Sequence, residues 1–165
     1  MKSYTGDRYR TLYQNEEKAL TTLQRSGTQS EHVVGYYGSF IQNGKFSLLL
    51  EFADGGNLLD YYRSTPKPMG ASDTKQFWWS LLGVLKGLHY VHQVSPDDGY
   101  RGIHEDIKPD NIILRKGTSG SSYDFRAILV DFGHSHFRVA DSEWDQMGVD
   151  REGNQTYGKG RPGRT

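Results

Sequence analysis

The apolar positions of this chain fall into runs with two different periods. Leu12, Glu16, Ala19, Leu20 and Leu23 share one face of a predicted helix. Glu16 is the polar member of that stripe. It is either a flank residue that reaches water or an inward carboxylate that needs a cationic partner. Two strand-like runs follow, Val33 to Phe40 and Lys45 to Phe52, on either side of Gln42-Asn43-Gly44. Asn-Gly predicts a hairpin, because both central residues of a type I′ turn need positive φ. The second run is nearly all apolar, which predicts a strand covered on both faces. Ala53-Asp54-Gly55-Gly56-Asn57 breaks the pattern, and Leu58 to Tyr62 reads as a short amphipathic helix.

The next helix is predicted to start at a Ser72 or Asp73 cap and to run to about His92. Phe77, Trp78, Leu81, Leu82, Leu85, Leu88, His89 and His92 form its broad stripe, expected to be the main core helix. His89 and His92 lack a third ligand at matching spacing, so packing is expected of them, not metal binding. Gln93 to Gly102 reads as a polar surface loop. After Ile103 to Leu114 comes a flexible turn, Lys116 to Ser122, and then an apolar strand, Ala127 to Val130. Beyond His134 there is little periodicity, and no internal repeat occurs.

Charge narrows the classes. Twenty basic and twenty acidic residues in 165 give a formal net charge of zero. That excludes a strongly basic nucleic-acid binder and a polybasic membrane-surface protein as read from net charge. The absence of cysteine excludes a disulfide scaffold, a thiolate zinc site, an iron–sulfur cluster and a cysteine nucleophile. Mean hydropathy is -0.74, yet the apolar residues cluster, as a folding chain requires. No apolar stretch approaches the roughly 20 residues that span a bilayer. Met1 to Arg8 has no apolar core. The expectation is a soluble intracellular protein with no nucleic-acid or membrane partner.

The chemistry is concentrated in His104-Glu105-Asp106-Ile107-Lys108-Pro109-Asp110-Asn111 and in Asp131-Phe132-Gly133, twenty residues after Asn111. Pro109 cannot continue a helix and biases Lys108 toward an extended conformation, so the first segment is a loop. Ile103, Ile107, Ile112 and Ile113 are expected to anchor it, and Gly133 to let the chain turn sharply after Asp131. Asp131 and Asn111 are hard oxygen ligands suited to Mg2+. Asp106 is able to accept a hydroxyl proton, and Lys108 to neutralise charge on a transferred phosphoryl group.

These two motifs resemble the catalytic loop and the metal-binding triplet of eukaryotic-type protein kinases. The resemblance implies an α+β, two-lobe kinase-like fold, ATP and Mg2+ as cofactors, and a protein substrate. It implies Asp106 and Lys108 as catalytic residues and Asn111 and Asp131 as metal ligands. Glu16 resembles the family's inward glutamate. Lys2, the lone upstream lysine, looks like its phosphate-binding partner. Leu50 would be the gatekeeper, Glu51 and Ala53 would offer hinge backbone groups to adenine, and Leu58 and Ile113 would pack in the catalytic lobe, with Ile113 under the base. Lys108-Pro109 is similar to the serine/threonine branch. Glu105 stands where the family usually has Arg, which puts control by an activation-segment phosphate in doubt.

The resemblance assigns residues 1–158 to a partial kinase domain: a small-lobe remnant at 1–53, a hinge at 51–57 and the start of the large lobe at 58–158. Residues 159–165 are expected to be a disordered tail. No Gly-x-Gly-x-x-Gly precedes Lys2, and Lys159-Gly160-Arg161 follows Gly158 where the family continues with Ala-Pro-Glu. The chain is therefore expected to be cut at both ends and to have weak or no activity, with the stripe of Trp78, Leu81 and Leu85 exposed unless something covers it. A pseudokinase scaffold and a small-molecule kinase of the aminoglycoside or choline type remain as alternatives.

Overall fold

The computed structural model describes residues 1–26, 29–94 and 100–139. The first group of elements is a three-stranded antiparallel sheet with a helix against it. The strands are β1 (Lys2–Thr5), β2 (Tyr36–Gln42) and β3 (Lys45–Leu50), in the order β1-β3-β2. Asn43 and Gly44 join β2 to β3 with φ of 49° and 71°, the left-handed pair the hairpin needs. Helix α1 (Arg10–Arg25) buries Tyr13, Glu16, Ala19, Leu20 and Leu23. The stripe is shifted from the predicted one: Leu12 is half-buried and Tyr13 takes the inner place, its ring 5.0 Å from that of Phe46. Ser47 and Leu48, on opposite faces of β3, are both buried, but Leu49 beside Ser47 is 41% exposed, so the second face is covered only in part.

Val33 and Val34 do not belong to β2. They run beside the other half of the molecule, where Val34 N donates to Leu129 O (3.0 Å) and Leu129 N donates to His32 O (2.9 Å). That half begins with α2 (Leu58–Ser64), capped by the Asn57 side chain accepting from Asp60 N at 2.8 Å. Helices α3 (Ala71–Leu81) and α4 (Gly83–His92) follow, separated by the single irregular residue Leu82. Gly70 is the N-cap of α3 and provides no side-chain cap, so neither Ser72 nor Asp73 has that part. Strand β4 (Tyr100–Ile103) pairs antiparallel with β7 (His136–Val139), and β5 (Ile112–Lys116) with β6 (Phe125–Leu129). Tyr100–Gly102 is thus strand, not loop, and Val94 is buried.

The buried face of α3 and α4 differs from the predicted stripe. Ser80, Gly83, Gly87 and Val91 lie inward, spaced three, four and four. A Cβ on Gly87 would stand 2.6 Å from His32 O, and one on Gly83 would stand 2.6 Å from His32 Nδ1. Small residues therefore set the close approach of α4 to segment 32–34 and to β6. Of the large apolar residues read as the core, Phe77, Leu81 and Leu88 are half-buried against it, while Trp78, Leu82 and Leu85 are exposed. His89 and His92 are exposed as well, so they do not pack in the core, and no metal-binding group of His, Cys, Asp or Glu occurs among the described residues. Among those residues, too, no helix is long and apolar enough to cross a membrane. Residues 140–165, including the expected tail at 159–165, lie outside the described residues.

Candidate active site

The loop between β4 and β5 is fixed from several sides. Lys108 is extended (φ -153°, ψ 162°), as the residue before a proline must be, and Pro109–Asn111 forms one 3-10 turn. The buried His104 ring lies 4.7 Å from the Phe132 ring. Its Nε2 sits 3.0 Å from Val130 O, and its Nδ1 accepts from Asp106 N at 3.3 Å. A carbonyl can only accept, so Nε2 carries the proton and the ring is a single neutral tautomer. Burial holds the imidazole below the usual histidine range. Ile107 is 44% exposed and is not one of the anchors; His104 does that work.

Asp106, Lys108 and Asn111 converge at the tip. Lys108 Nζ donates to Asp106 Oδ2 at 2.7 Å, and Asn111 Nδ2 donates to the same oxygen at 2.8 Å and to Asp106 O at 2.9 Å. The bond from Lys108, followed by that from Asn111, holds the Asp106 carboxyl below the usual range despite some burial. The same bond, with the nearby charges of Asp131 and Asp110, raises the Lys108 ammonium. At neutral pH the tip is a carboxylate beside an ammonium.

β6 delivers Asp131 to this loop. Val130 N donates to Asn111 O at 3.1 Å. Asp131 has φ of 66°, so the left-handed turn falls on the aspartate itself and not on Gly133. Glu105 also has positive φ, 64°. Two non-glycine residues in this region, each costing on the order of 1–3 kcal/mol, mark a place held by its surroundings. Glu105 pairs with His136 Nε2 at 3.2 Å, both side chains largely exposed, which ties the loop to β7.

Lys2 links the two halves. Its Nζ lies 2.8 Å from Glu16 Oε2, 3.1 Å from Glu16 Oε1 and 2.8 Å from Asp131 Oδ1. Glu16 has no exposed surface. Its carboxylate also accepts from Phe132 N (3.3 Å) and from the Tyr4 hydroxyl. The inward alternative for Glu16 is therefore the one adopted.

The remaining candidates lie along the connection between the halves. Leu50 ends β3 opposite Tyr36. Glu51 N donates to Gly35 O at 2.7 Å, while among the described residues Ala53 makes no backbone hydrogen bond. Ala53 and Ile113 are half-buried against the core, and Leu58 is buried. The Glu51 side chain accepts from Gly35 N (3.0 Å) and meets Arg115 at 2.6 Å.

With this geometry in view, comparison with known families finds a match to the protein kinase domain over residues 2–156. The chain belongs to the protein kinase domain family. The α+β arrangement is a partial kinase-like two-lobe fold. The mitogen-activated protein kinase kinase mkk2 of Aspergillus fumigatus is 37% identical over 106 residues, covering 63% of this chain and 20% of that protein. The serine/threonine-protein kinase cst-1 of Caenorhabditis briggsae is 33% identical over 116 residues, covering 70% of this chain and 20% of that protein. The kinase domain described here thus spans about a fifth of the length of these relatives.

Sequence reasoning gave no part to Tyr4, His104, Phe132 or Arg115. His104 and Phe132 stood inside the motifs already quoted. Tyr4 follows Lys2 by two residues, which in a strand means the same face, so that signal was available. Arg115 carried none, since its partner Glu51 is remote in sequence.

Proposed function

We propose that this chain carries the catalytic machinery of an ATP-dependent protein serine/threonine kinase. The observation that carries the reading is Lys2, whose ammonium bridges the buried Glu16 and Asp131 at 2.8 Å each. A cation held between a carboxylate of one half and a carboxylate of the other marks the cleft where a polyphosphate would lie. The serine/threonine preference rests on Lys108-Pro109 and on the printed name of the Caenorhabditis briggsae relative, a serine/threonine-protein kinase.

The donor set fits a magnesium ion. The Asn111 amide nitrogen is engaged with Asp106, which leaves its oxygen as the ligand atom. Asp131 is a partly exposed carboxylate that uses Oδ1 for Lys2. Magnesium takes few protein oxygens and keeps water and phosphate as its other ligands, and when bound it neutralises phosphate charge. Asp106, kept ionised by Lys108 and Asn111, would take the proton of a substrate hydroxyl as its oxygen attacks the γ-phosphorus and the bond from that phosphorus to the β-phosphate oxygen breaks, releasing ADP. Lys108 would offset the charge that develops on the transferred group. Lys2 would bind phosphate oxygens, and Glu16 would hold Lys2. Leu50, the Glu51 carbonyl, Ala53 and Ile113 would line the adenine side.

The test is transfer of labelled phosphate from ATP to a generic basic protein. Asp106→Asn and Asp131→Ala should each lower the rate by at least about a hundredfold, the scale of a lost acid–base group. Transfer that survives both changes overturns the reading. Phosphate appearing on an aminoglycoside or choline, and not on protein, would favour the small-molecule alternative.

A further inference from the structure

Asp131 stands in the left-handed region, with φ of 66°, so the chain around it must hold that turn in place. Lys2 Nζ lies 2.8 Å from Asp131 Oδ1, but that is a side-chain atom and does not fix the backbone behind it. The backbone is held further on. Phe132 N donates to Glu16 Oε1 at 3.3 Å. Phe132 O accepts from Ser135 N at 3.1 Å and from Ser135 Oγ at 2.6 Å. The next carbonyl, Gly133 O, is supplied from α1: Asn15 Nδ2 donates to it at 3.2 Å.

We propose that Asn15 is a positioning residue: its amide, beside the Glu16 carboxylate, clamps the Phe132–Gly133 backbone to α1 and so keeps the Asp131 carboxylate turned to the cleft. The step from this clamp to a metal ligand rests on the reading of Asp131 given above. The clamp itself does not.

The docking face is built from three positions of α1. Leu12, Asn15 and Glu16 are spaced three and one, which places them on one side of the helix. A Cβ on Gly133 would stand 3.6 Å from both Leu12 Cδ2 and Leu12 O, so the glycine lies directly against the first turn of α1. Gly133 is buried and Asn15 is exposed, so the amide closes over the carbonyl from the solvent side. One bond, from Phe132 N to Glu16, leaves the peptide free to pivot about that point. A second bond, one residue on, removes the pivot. The strain of a left-handed aspartate and the worth of one hydrogen bond are of similar size, so losing a single anchor is enough to loosen the turn.

Amide hydrogen exchange and the magnesium requirement for phosphate transfer are measured for the unaltered chain and for Asn15→Ala, Asn15→Leu and Tyr13→Phe. Asn15→Leu keeps the size of the side chain and loses the donor. Tyr13→Phe is the control, because its hydroxyl donates to Glu17 at 3.2 Å on the same helix and is no part of the clamp. One neutral hydrogen bond is worth about fivefold in an equilibrium constant. Both Asn15 variants are expected to speed exchange of the Phe132 and Ser135 amides about fivefold relative to the Leu129 amide, which donates to His32 O at 2.9 Å. A loss of overall stability moves all three amides together, so the ratio isolates the clamp, and Tyr13→Phe should leave it unchanged. The magnesium concentration at half-maximal transfer should rise about fivefold in both Asn15 variants, because the metal must then order the turn, and should not move in Tyr13→Phe. An unchanged exchange ratio in both Asn15 variants overturns the clamp, whatever the chain does with nucleotide. A raised ratio with an unchanged magnesium requirement overturns the assignment of Asn15 as a positioning residue for Asp131. If the unaltered chain transfers no phosphate, the nucleotide reading falls and the metal half of this proposal with it, while the exchange ratio still decides the clamp.

Discussion

The Glu51 carboxylate and the Arg115 guanidinium meet at 2.6 Å across the connection between the two halves of the molecule. Arg115 also donates to Phe52 O (3.0 Å), and Glu51 accepts from Gly35 N (3.0 Å). One ion pair therefore ties β5, segment 51–53 and the approach to β2. Arg115 is partly exposed, so solvent screens the pair and its coupling should be about 1 kcal/mol, not several. Urea unfolding of Arg115→Met, Glu51→Gln and the double variant measures that coupling. Additive losses would show that the contact does not hold the segment.

Gly87 is expected to resist substitution although it sits inside a helix. Alanine is the better helix former by about 1 kcal/mol. Against that gain stands a Cβ placed 2.6 Å from His32 O and 2.9 Å from Leu129 Cδ1, the first of which is backbone and cannot step aside. The clash should win, and Gly87→Ala should cost about 2 kcal/mol net. Leu85→Ala, on the exposed side of the same helix, should cost about 0.5 kcal/mol or less. The comparison is made by chemical denaturation. The reverse order would mean that the buried and exposed faces of α4 have been exchanged.

The same helix shows where sequence reading stops. Hydrophobic periodicity finds large side chains, and on α3 and α4 it selected Phe77, Leu81 and Leu88, which pack half-buried against the core, together with Trp78, Leu82 and Leu85, which are exposed. The close contact runs through Ser80, Gly83 and Gly87, whose smallness is the packing device and leaves no hydropathy signal. The hairpin was legible because Asn43-Gly44 specifies its turn chemically. The 104–111 segment was legible as a loop because Pro109 excludes a helix there, and three polar groups sit at fixed spacing in it. β4 and β7 were not, because four-residue strands pair over long sequence distance with little periodicity of their own. The Glu16 stripe left two alternatives, which only tertiary contacts with Lys2, Tyr4 and Phe132 could separate.

His104 should make stability depend on pH in a narrow window. Its folded pKa is lowered, so the unfolded chain binds the proton more readily. The stabilisation is complete above the unfolded value of about 6.5 and is lost as pH falls from there toward the folded value. The lowered carboxyls of Asp54, Asp106 and Asp124 act in the same direction, but only below about pH 4. Protonation of Nδ1 would also remove the acceptor for Asp106 N. Urea midpoints from pH 7 to pH 5 should therefore decline, and His104→Phe should flatten the decline. An NMR titration placing the His104 ring above 6.5 would reverse the sign and sink the argument.

Stability and transfer should separate at the Lys2–Glu16 pair. Lys2→Met leaves a fully buried carboxylate with two neutral donors and no cation. Breaking a buried ion pair from one side costs on the order of 3 kcal/mol, because the remaining charge is stranded. Converting both members, Lys2→Met with Glu16→Leu, removes the stranded charge and should recover most of that loss. Phosphate transfer should be abolished in both proteins, since each lacks the ammonium. Calorimetric melting and the transfer assay on the same two preparations decide the point. If the double variant is no more stable than Lys2→Met alone, the cost lies in lost packing of the lysine stem, and the buried charge is not what Lys2 compensates.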